Sequence, residues 1–325
     1  MNNLTILIPT HNRHCYLKRA LEYYKTFQIK SIIVVDSSSE KFESFHEYDN
    51  LQYVFLPKYE LIDKICLGLD RVTTENVSIV ADDDFLVESG LEECNIFLKS
   101  NFEYVSVQGS YVAFQNRRNK VKIFPQYLST FNTDYADNNV VKRFEKLLGK
   151  YMHLSYSVYR LTTIKSVMNK ILDSEIKDYI LMELLVAILL VIEGKHKQLP
   201  VFYNARESIY NSCGRQTLSI KEIFSSTEHC EHVYAFKSLL LKEMKTQTGI
   251  DDEVLNLIIN KNLKIYMKSE ELKFFNNRFF QKISQVLQTL LKAHRIKNYP
   301  LLSLHKNSEW KKIERMIKTC NCFNN

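Results

Sequence analysis

Short runs rich in β-branched and aromatic residues alternate with stretches of helical spacing through the first hundred residues, and this alternation predicts an α/β sheet. Leu4 to Ile8, Ser31 to Val35, Leu51 to Phe55 and Val77 to Ala81 read as strands. His14 to Tyr24, Tyr59 to Arg71 and Ser89 to Lys99 read as helices, giving the order β-α-β-β-α-β-α. Ser89 and Glu92 have the spacing of a capping box for the last of these. Tyr104 to Phe114 and Lys120 to Phe124 predict two more strands, a mixed extension of the sheet, joined by the polar turn Gln115 to Asn119. Residues 175 to 193 are apolar nearly all round, which predicts a buried helix closed by Gly194. Lys195 to Tyr203 then returns toward the sheet. Beyond about residue 226 the spacing becomes helical: Glu231 to Lys245, Asp251 to Tyr266, Phe279 to Arg295 and Glu309 to Thr319.

Ligands of open α/β sheets bind at the carboxyl ends of the strands. Three such ends carry polar residues here: Thr10 to Arg13, Asp36 to Ser39, and Asp82, Asp83 and Asp84. The acidic triplet is the most informative, because adjacent carboxylates repel and take up protons unless a cation or hydrogen-bond donors hold them ionised. A hard divalent ion carrying a diphosphate meets that need. A solvated acidic loop leading into the next helix is the plainer reading of the same residues. On the apolar helix, Glu183 stands as an isolated acid whose burial predicts a carboxyl shifted up toward neutrality, either satisfied by a partner or kept for chemistry.

Composition narrows the field. The 325 residues are 45% hydrophobic, enough for one large core or two smaller ones. None of the 7 glycines forms GxGxxG, GxxxxGK[ST] or GxSxG, which argues against a dinucleotide fold, a P-loop and a hydrolase elbow. The amino terminus lacks a signal-peptide pattern, and Leu184 to Ile192 is too short to span a bilayer. Seven scattered cysteines predict reduced thiols and a cytoplasmic setting. The net charge of +7 lies wholly beyond residue 226, where 17 Lys and Arg face 10 Asp and Glu. Those basic helices predict a packed subdomain, an oligomer interface or a membrane-surface patch. Interspersed acids and the lack of a recognised motif argue against nucleic acid. His229 and His232 at i and i+3, and Cys320 with Cys322, are weak metal patterns.

From residue 3 to about 215 the chain resembles the family 2 glycosyltransferases with the GT-A fold. TILIPTHNRHCYLKRAL resembles the family's first strand, Pro-Thr-x-Asn-Arg turn and helix; IIVVDSSS resembles its second strand with a terminal acid; VADDDF resembles its DxD element. Met182-Glu183 stands where the family usually has Glu-Asp, with Gly194 eleven residues after Glu183 and Pro200 and Arg206 following. The base position thus carries Glu rather than Asp. The histidine that often follows the arginine in the family is missing from RESIYNS, a departure that counts against a histidine metal ligand.

The resemblance implies a GT-A-type Rossmann-like mixed sheet flanked by helices, over residues 1–226, with a basic helical carboxy-terminal subdomain over 227–325. It further implies metal-dependent, inverting transfer of a sugar from a nucleotide diphosphate donor, a UDP-sugar foremost, to a glycan or lipid-linked glycan in bacterial surface-polysaccharide assembly. Pro9, Thr10, Asn12 and Arg13 would line the nucleotide, Asp36 would meet its base, and Lys64 would reach the base or diphosphate unless it lies on a solvated helix face. Asp84 would be the principal ligand of Mn²⁺ or Mg²⁺, with Asp82 as the second, and Asp82 or Asp83 would turn to the ribose. Arg206, Arg215 and Lys221 would fold over the diphosphate. Either Glu183 or Asp178 would be the general base, since the two lie about 140° apart on a helix. The expected location is the cytoplasm, with peripheral contact at the inner face of the membrane, and oligomers are compatible with it. A nucleotidyltransferase on a similar sheet and a catalytically silent scaffold stay open as rivals.

Overall fold

In the computed structural model, residues 1, 3–117, 120–126, 130–208, 218–280, 304–320 and 322 are described, and side chains are placed for these except at 117, 125 and 272–280. Strand β1 (Leu4–Thr10) pairs in parallel with β2 (Ser31–Asp36) on one side and β4 (Asn76–Ile79) on the other, and β3 (Leu51–Phe55) adds outside β2. The helices α1 (His14–Tyr24), α2 (Leu61–Asp70) and α3 (Glu88–Ser100) cross over between and after them. Past β4 the sheet turns mixed. It runs β3-β2-β1-β4-β9-β6-β10-β5, where β5 is Phe85–Leu86, β6 Tyr104–Arg117, β9 Val158–Arg160 and β10 Lys195–Glu207. β7 (Lys120–Pro125) pairs β6, and β8 (Asp134–Tyr135) pairs β10. Residues 134–173, to which the sequence pattern assigns nothing, supply β8, β9 and two helices, α4 (Val140–Gly149) and α5 (Leu161–Asp173).

Successive strand side chains point to opposite faces, and this divides the core. Leu7, Ile33 and Val35 join one apolar cluster while Ile6, Ile8, Ile32 and Val34 join the other. The first cluster is covered by α2, α4, α5 and the apolar helix α6 (Tyr179–Glu193), whose residues Leu184 to Ile192 are all buried. α8 (Cys230–Thr248) and α9 (Asp252–Phe280), preceded by the short α7 (Ile220–Ser225), close over α6 and α4, contributing Phe236, Leu240, Leu255 and Ile259. α1 and α3 cover the second cluster, and α10 (Ser308–Thr319) adds Trp310, Ile313 and Ile317 to it. The described residues past 226 hold no strand, and the expected helix at Phe279 to Arg295 lies almost wholly outside the described residues.

Several local expectations change. The helix α3 begins at Glu88, so Ser89 sits inside it and no capping box forms. Its first N–H is instead accepted by Glu309 Oε2 of α10 at 3.1 Å, a tertiary cap that sequence spacing cannot reveal. Gly194 does end α6, but its backbone is extended rather than left-handed. Glycine is needed there because a Cβ would lie 2.3 Å from Val105 Cγ1. The cysteines are not all reduced: Cys15 and Cys322 form a disulfide, because α10 packs against α1 and carries the terminus to it. Cys66, Cys94, Cys230 and Cys320 are free. No helix among the described residues is long and apolar enough to cross a membrane.

Gly90 marks the closest approach of α3 to the sheet. A Cβ there would meet Phe202 O at 2.3 Å and Tyr203 Cα at 2.9 Å, both backbone atoms that cannot yield cheaply. Gly90→Ala should therefore cost about 1–3 kcal/mol, the usual range for overpacking, measured by denaturant unfolding. A loss under about 0.5 kcal/mol would show that α3 slides freely on β10.

Candidate active site

The end of β1 turns sharply at Asn12, whose φ of 52° lies in the left-handed region that Asn tolerates through local hydrogen bonding. Its N–H donates to Ser38 Oγ at 2.7 Å, and its Oδ1 accepts from Ser39 N at 3.0 Å. The ends of β1 and β2 are thereby stitched together. Asp36 is fully buried at the end of β2. Its Oδ1 accepts from Ser38 N at 2.8 Å and from the Ser38 hydroxyl, and its Oδ2 accepts from Tyr53 Oη at 2.6 Å and His14 Nε2 at 2.9 Å. All four lone-pair positions of the carboxylate are engaged. Pro9 lies in β1, half-buried, opposite Val35.

Lys64 is buried rather than on a solvated helix face. Its Nζ donates to Thr10 O at 2.6 Å and Ser37 Oγ at 2.9 Å, and burial lowers its pKa although Asp36 and Asp82 oppose the shift. The apolar stem crosses the core side of α2, which is why its sequence neighbourhood did not mark it as buried.

Asp82, Asp83 and Asp84 are all buried, so the solvated-loop reading fails. Asp82 Oδ2 accepts from Thr10 Oγ1 at 2.6 Å, and Arg13 pairs with both Asp82 (3.2 Å) and Asp83 (2.6 Å). Asp84 Oδ1 accepts from Glu207 N at 2.8 Å while Arg206 Nε stands 3.5 Å from Oδ2. The turn is pinned from behind. Arg19 donates to Asp83 O at 3.1 Å and Tyr24 Oη to Asp84 O at 3.3 Å. Arg19 also pairs at 2.5 Å with Glu207, both side chains 1% exposed. Burial pushes the Asp82 and Asp84 carboxyls up, with Asp83 adding to both shifts; Arg13 and Arg206 pull the other way and are outweighed. Burial likewise raises Glu207 against the pull of Arg19.

Glu183 faces this cluster from α6. Its Oε1 lies 2.7 Å from His153 Nε2, and its side chain is 27% exposed. Burial raises its pKa, but the charge and hydrogen bond of His153 and the charge of Arg206 outweigh that, and the net shift is downward. The expected upward shift is thus reversed, because the long-range partner was invisible in the local pattern. His153 stacks on Tyr156 (5.6 Å, 22° between planes), and the Arg206 guanidinium lies 4.9 Å above the Tyr156 ring. One continuous line of contacts therefore runs from Glu183 through His153, Tyr156 and Arg206 to Asp84. Asp178 is the N-cap of α6: its Oδ1 accepts from Leu181 N at 2.9 Å, and its other oxygen lies 3.8 Å from His229.

Other candidates fall away from the cluster. Lys221 pairs with Glu271 at 2.5 Å, and Arg215 lies outside the described residues. His232 Nδ1 accepts from Lys177 N at 3.3 Å, so His229 and His232 serve separate local contacts. A groove of about 410 Å³ along the edge strand β3 is lined by Lys41, Phe45, Gln52, Tyr53, Val54, Phe55 and Arg71; neither the acidic triplet nor Glu183 lines it. Chemistry follows the charged groups rather than that groove, because acid–base and ionic work needs Glu183, the arginines and the triplet. Sequence reasoning missed His14, Arg19, His153, Tyr156 and Glu207, each of which acts across a long sequence separation.

Oxygen-only donors suit a hard cation. Asp82, Asp83, Asp84 and Glu207 crowd at one turn, and a ligand-borne cation would offset the repulsion that raises Asp82 and Asp84. Among the described residues, no group of three His, Cys, Asp or Glu forms a ready cage for a metal. The carboxylates can therefore hold part of a coordination sphere, with the rest supplied by the ligand or water.

No protein-family model and no curated protein sequence matches this chain. Solved structures do match its fold. Staphylococcus aureus TarS, residues 1–349, shares 14% identity and a TM-score of 0.55, covering 98% of this chain and 90% of that one. The same protein in complex with UDP-GlcNAc gives 12% identity and a TM-score of 0.57 over 87% and 74% of the two chains. Its complex with UDP gives 13%, 0.53, 87% and 74%. The likeness is one of architecture, the central mixed sheet flanked by helices of the GT-A type expected from sequence.

Proposed function

We propose that this chain is a glycosyltransferase that moves a sugar from a UDP-sugar to an acceptor hydroxyl with inversion. The observation that carries the reading is the convergence of the β1, β2 and β4 ends with Glu183, through Arg206 and His153, at one end of the sheet. TarS was crystallised with UDP-GlcNAc and UDP on this fold, which makes UDP-GlcNAc the first donor to test.

In this reading Lys64 and the Thr10–Arg13 turn bind the nucleotide. Asp36 meets the base once His14, whose side chain is partly exposed, yields its place on Oδ2. Arg206 and Arg13 lie against the carboxylates, where guanidinium groups suit a diphosphate. Mn²⁺ or Mg²⁺ held by Asp84 and Asp82 would supply neutralisation of charge on the leaving diphosphate. Glu183, ionised at neutral pH, takes the proton of the acceptor hydroxyl as it attacks the anomeric carbon from the face opposite the leaving group. Asp178, spent on capping α6, does not share that role.

The acceptor is a glycan or lipid-linked glycan, and the reading places the enzyme at an anionic membrane surface. Supporting this, α9 exposes Val254, Leu257 and Ile265 together with Lys261, Lys264 and Lys268, and no acid interrupts residues 254–268. Apolar residues among lysines on an exposed helix suit anionic lipid. Sedimentation with anionic but not neutral vesicles at low salt is expected; equal recovery with both would remove the membrane from the account.

Calorimetric titration with UDP, with and without Mn²⁺, tests the nucleotide site. Tighter binding with the cation is expected. Absence of UDP binding under both conditions would sink the reading.

A further inference from the structure

We infer that His153 is the positioning residue of Glu183, an imidazole locked in one tautomer that fixes the direction of the carboxylate. The inference rests on Glu183 being the general base, and its geometry is independent of the donor site. Glu183 has a long, rotamer-rich side chain, and holding such a chain in one direction needs a partner. His153 Nε2 provides it at 2.7 Å from Oε1.

The imidazole is itself fixed. Ser155 N–H points to His153 Nδ1 at 3.3 Å, so Nδ1 is the acceptor nitrogen and Nε2, in close contact with the carboxylate, carries the ring proton. Tyr156 stacks on the ring, and Gln108 Nε2 donates to the His153 carbonyl at 3.1 Å. Ser157 Oγ donates to Gln108 Oε1 at 2.8 Å, which closes the support around residues 153–157. The charged groups facing Glu183 are His153 from this segment and Arg206 from β10; no other ionisable group contributes to its net shift. Removing His153 takes away the neighbour that holds Oε1 and leaves Glu183 with Arg206, which already serves Asp84.

The test needs no acceptor. In carbon-13 NMR of protein labelled at Glu carboxyls, the resonance lost in Glu183→Gln identifies Glu183. His153→Phe should move its titration upward by about one pH unit or more, as burial goes uncompensated. His153→Gln, which keeps an N–H donor, should restore most of the shift. If Phe disturbs folding, His153→Asn, which can still accept from Ser155 but falls short of Glu183, must show the same upward movement. With UDP-GlcNAc as donor and water as acceptor, UDP release should fall up to about 10²-fold in kcat for Phe, the cost of a misplaced group, with donor KM unchanged. Nitrogen-15 shifts of His153 should report the Nε2–H tautomer. An unmoved Glu183 titration, an Nδ1–H tautomer, or equal behaviour of the Phe and Gln variants would each overturn the inference while leaving Glu183 as base. Full activity of Glu183→Gln would overturn the base assignment instead, without touching the His153 contact.

Discussion

Glu183→Gln should bind donor as well as the wild type and lose about 10²- to 10⁴-fold in turnover, the range expected when a general base is removed. The amide keeps the shape of the side chain and its contact with His153 Nε2 while losing the ability to take a proton. Because His153 and Arg206 hold Glu183 below the ordinary carboxylate range, its base form persists well into acid. With donor and cation saturating, the acid limb that Glu183 contributes to the kcat profile should therefore lie below the ordinary Glu value of about 4.3, not near neutrality. Asp178→Asn should change stability through its N-cap and leave turnover nearly intact, since a cap is worth about 0.5–2 kcal/mol. Loss of transfer in Asp178→Asn with full transfer in Glu183→Gln would exchange the roles.

Asp84→Asn should abolish the divalent-dependent part of UDP binding, a loss of about 100-fold or more if the cation provides several kcal/mol to the diphosphate. Folding should respond in the opposite direction. Asp84 is a buried carboxylate beside Asp83 and Glu207, and the Glu207 N–H with Arg206 at 3.5 Å does not outweigh burial and that repulsion. Replacing it by a neutral amide that still accepts from Glu207 N should leave thermal stability unchanged or raised. Asp82→Asn should be milder, because Arg13 retains an oxygen to bind and the Thr10 hydroxyl can turn to accept from the new amide N–H. Unchanged UDP affinity and unchanged cation dependence in Asp84→Asn would remove Asp84 from the site.

The strand ends were legible because local pattern and topology agree there. Apolar runs ended by Thr10, Asp36 and Asp82 can only bring those residues to one edge of a parallel sheet. α1 was readable to the residue, and α6 was readable from its unbroken apolar run, with its true start set by Asp178 as N-cap. α4 has no assignment from the sequence pattern, although Asn139 stands before Phe144, Leu147 and Leu148 at helical spacing and its Oδ1 accepts from Lys142 N. What sequence could not supply were partners brought from afar. Glu309 caps α3 across 221 residues and Glu207 reaches Arg19 across 188. The disulfide joins Cys15 to Cys322 across 307. His153 belongs with these, since nothing local in HLSYS distinguishes a ring that supports Glu183 from an ordinary core histidine.

The central claim is that this site cleaves the bond between a sugar's anomeric carbon and a nucleoside diphosphate with inversion. The most direct measurement is time-resolved proton and phosphorus-31 NMR of α-linked UDP-GlcNAc incubated with the full chain and Mn²⁺, water serving as acceptor. The account predicts UDP as the nucleotide product and β-GlcNAc appearing before mutarotation mixes the anomers, with both signals absent in Glu183→Gln. Release of UMP with sugar 1-phosphate, first appearance of the α anomer, or no cleavage under conditions where UDP binds would contradict it.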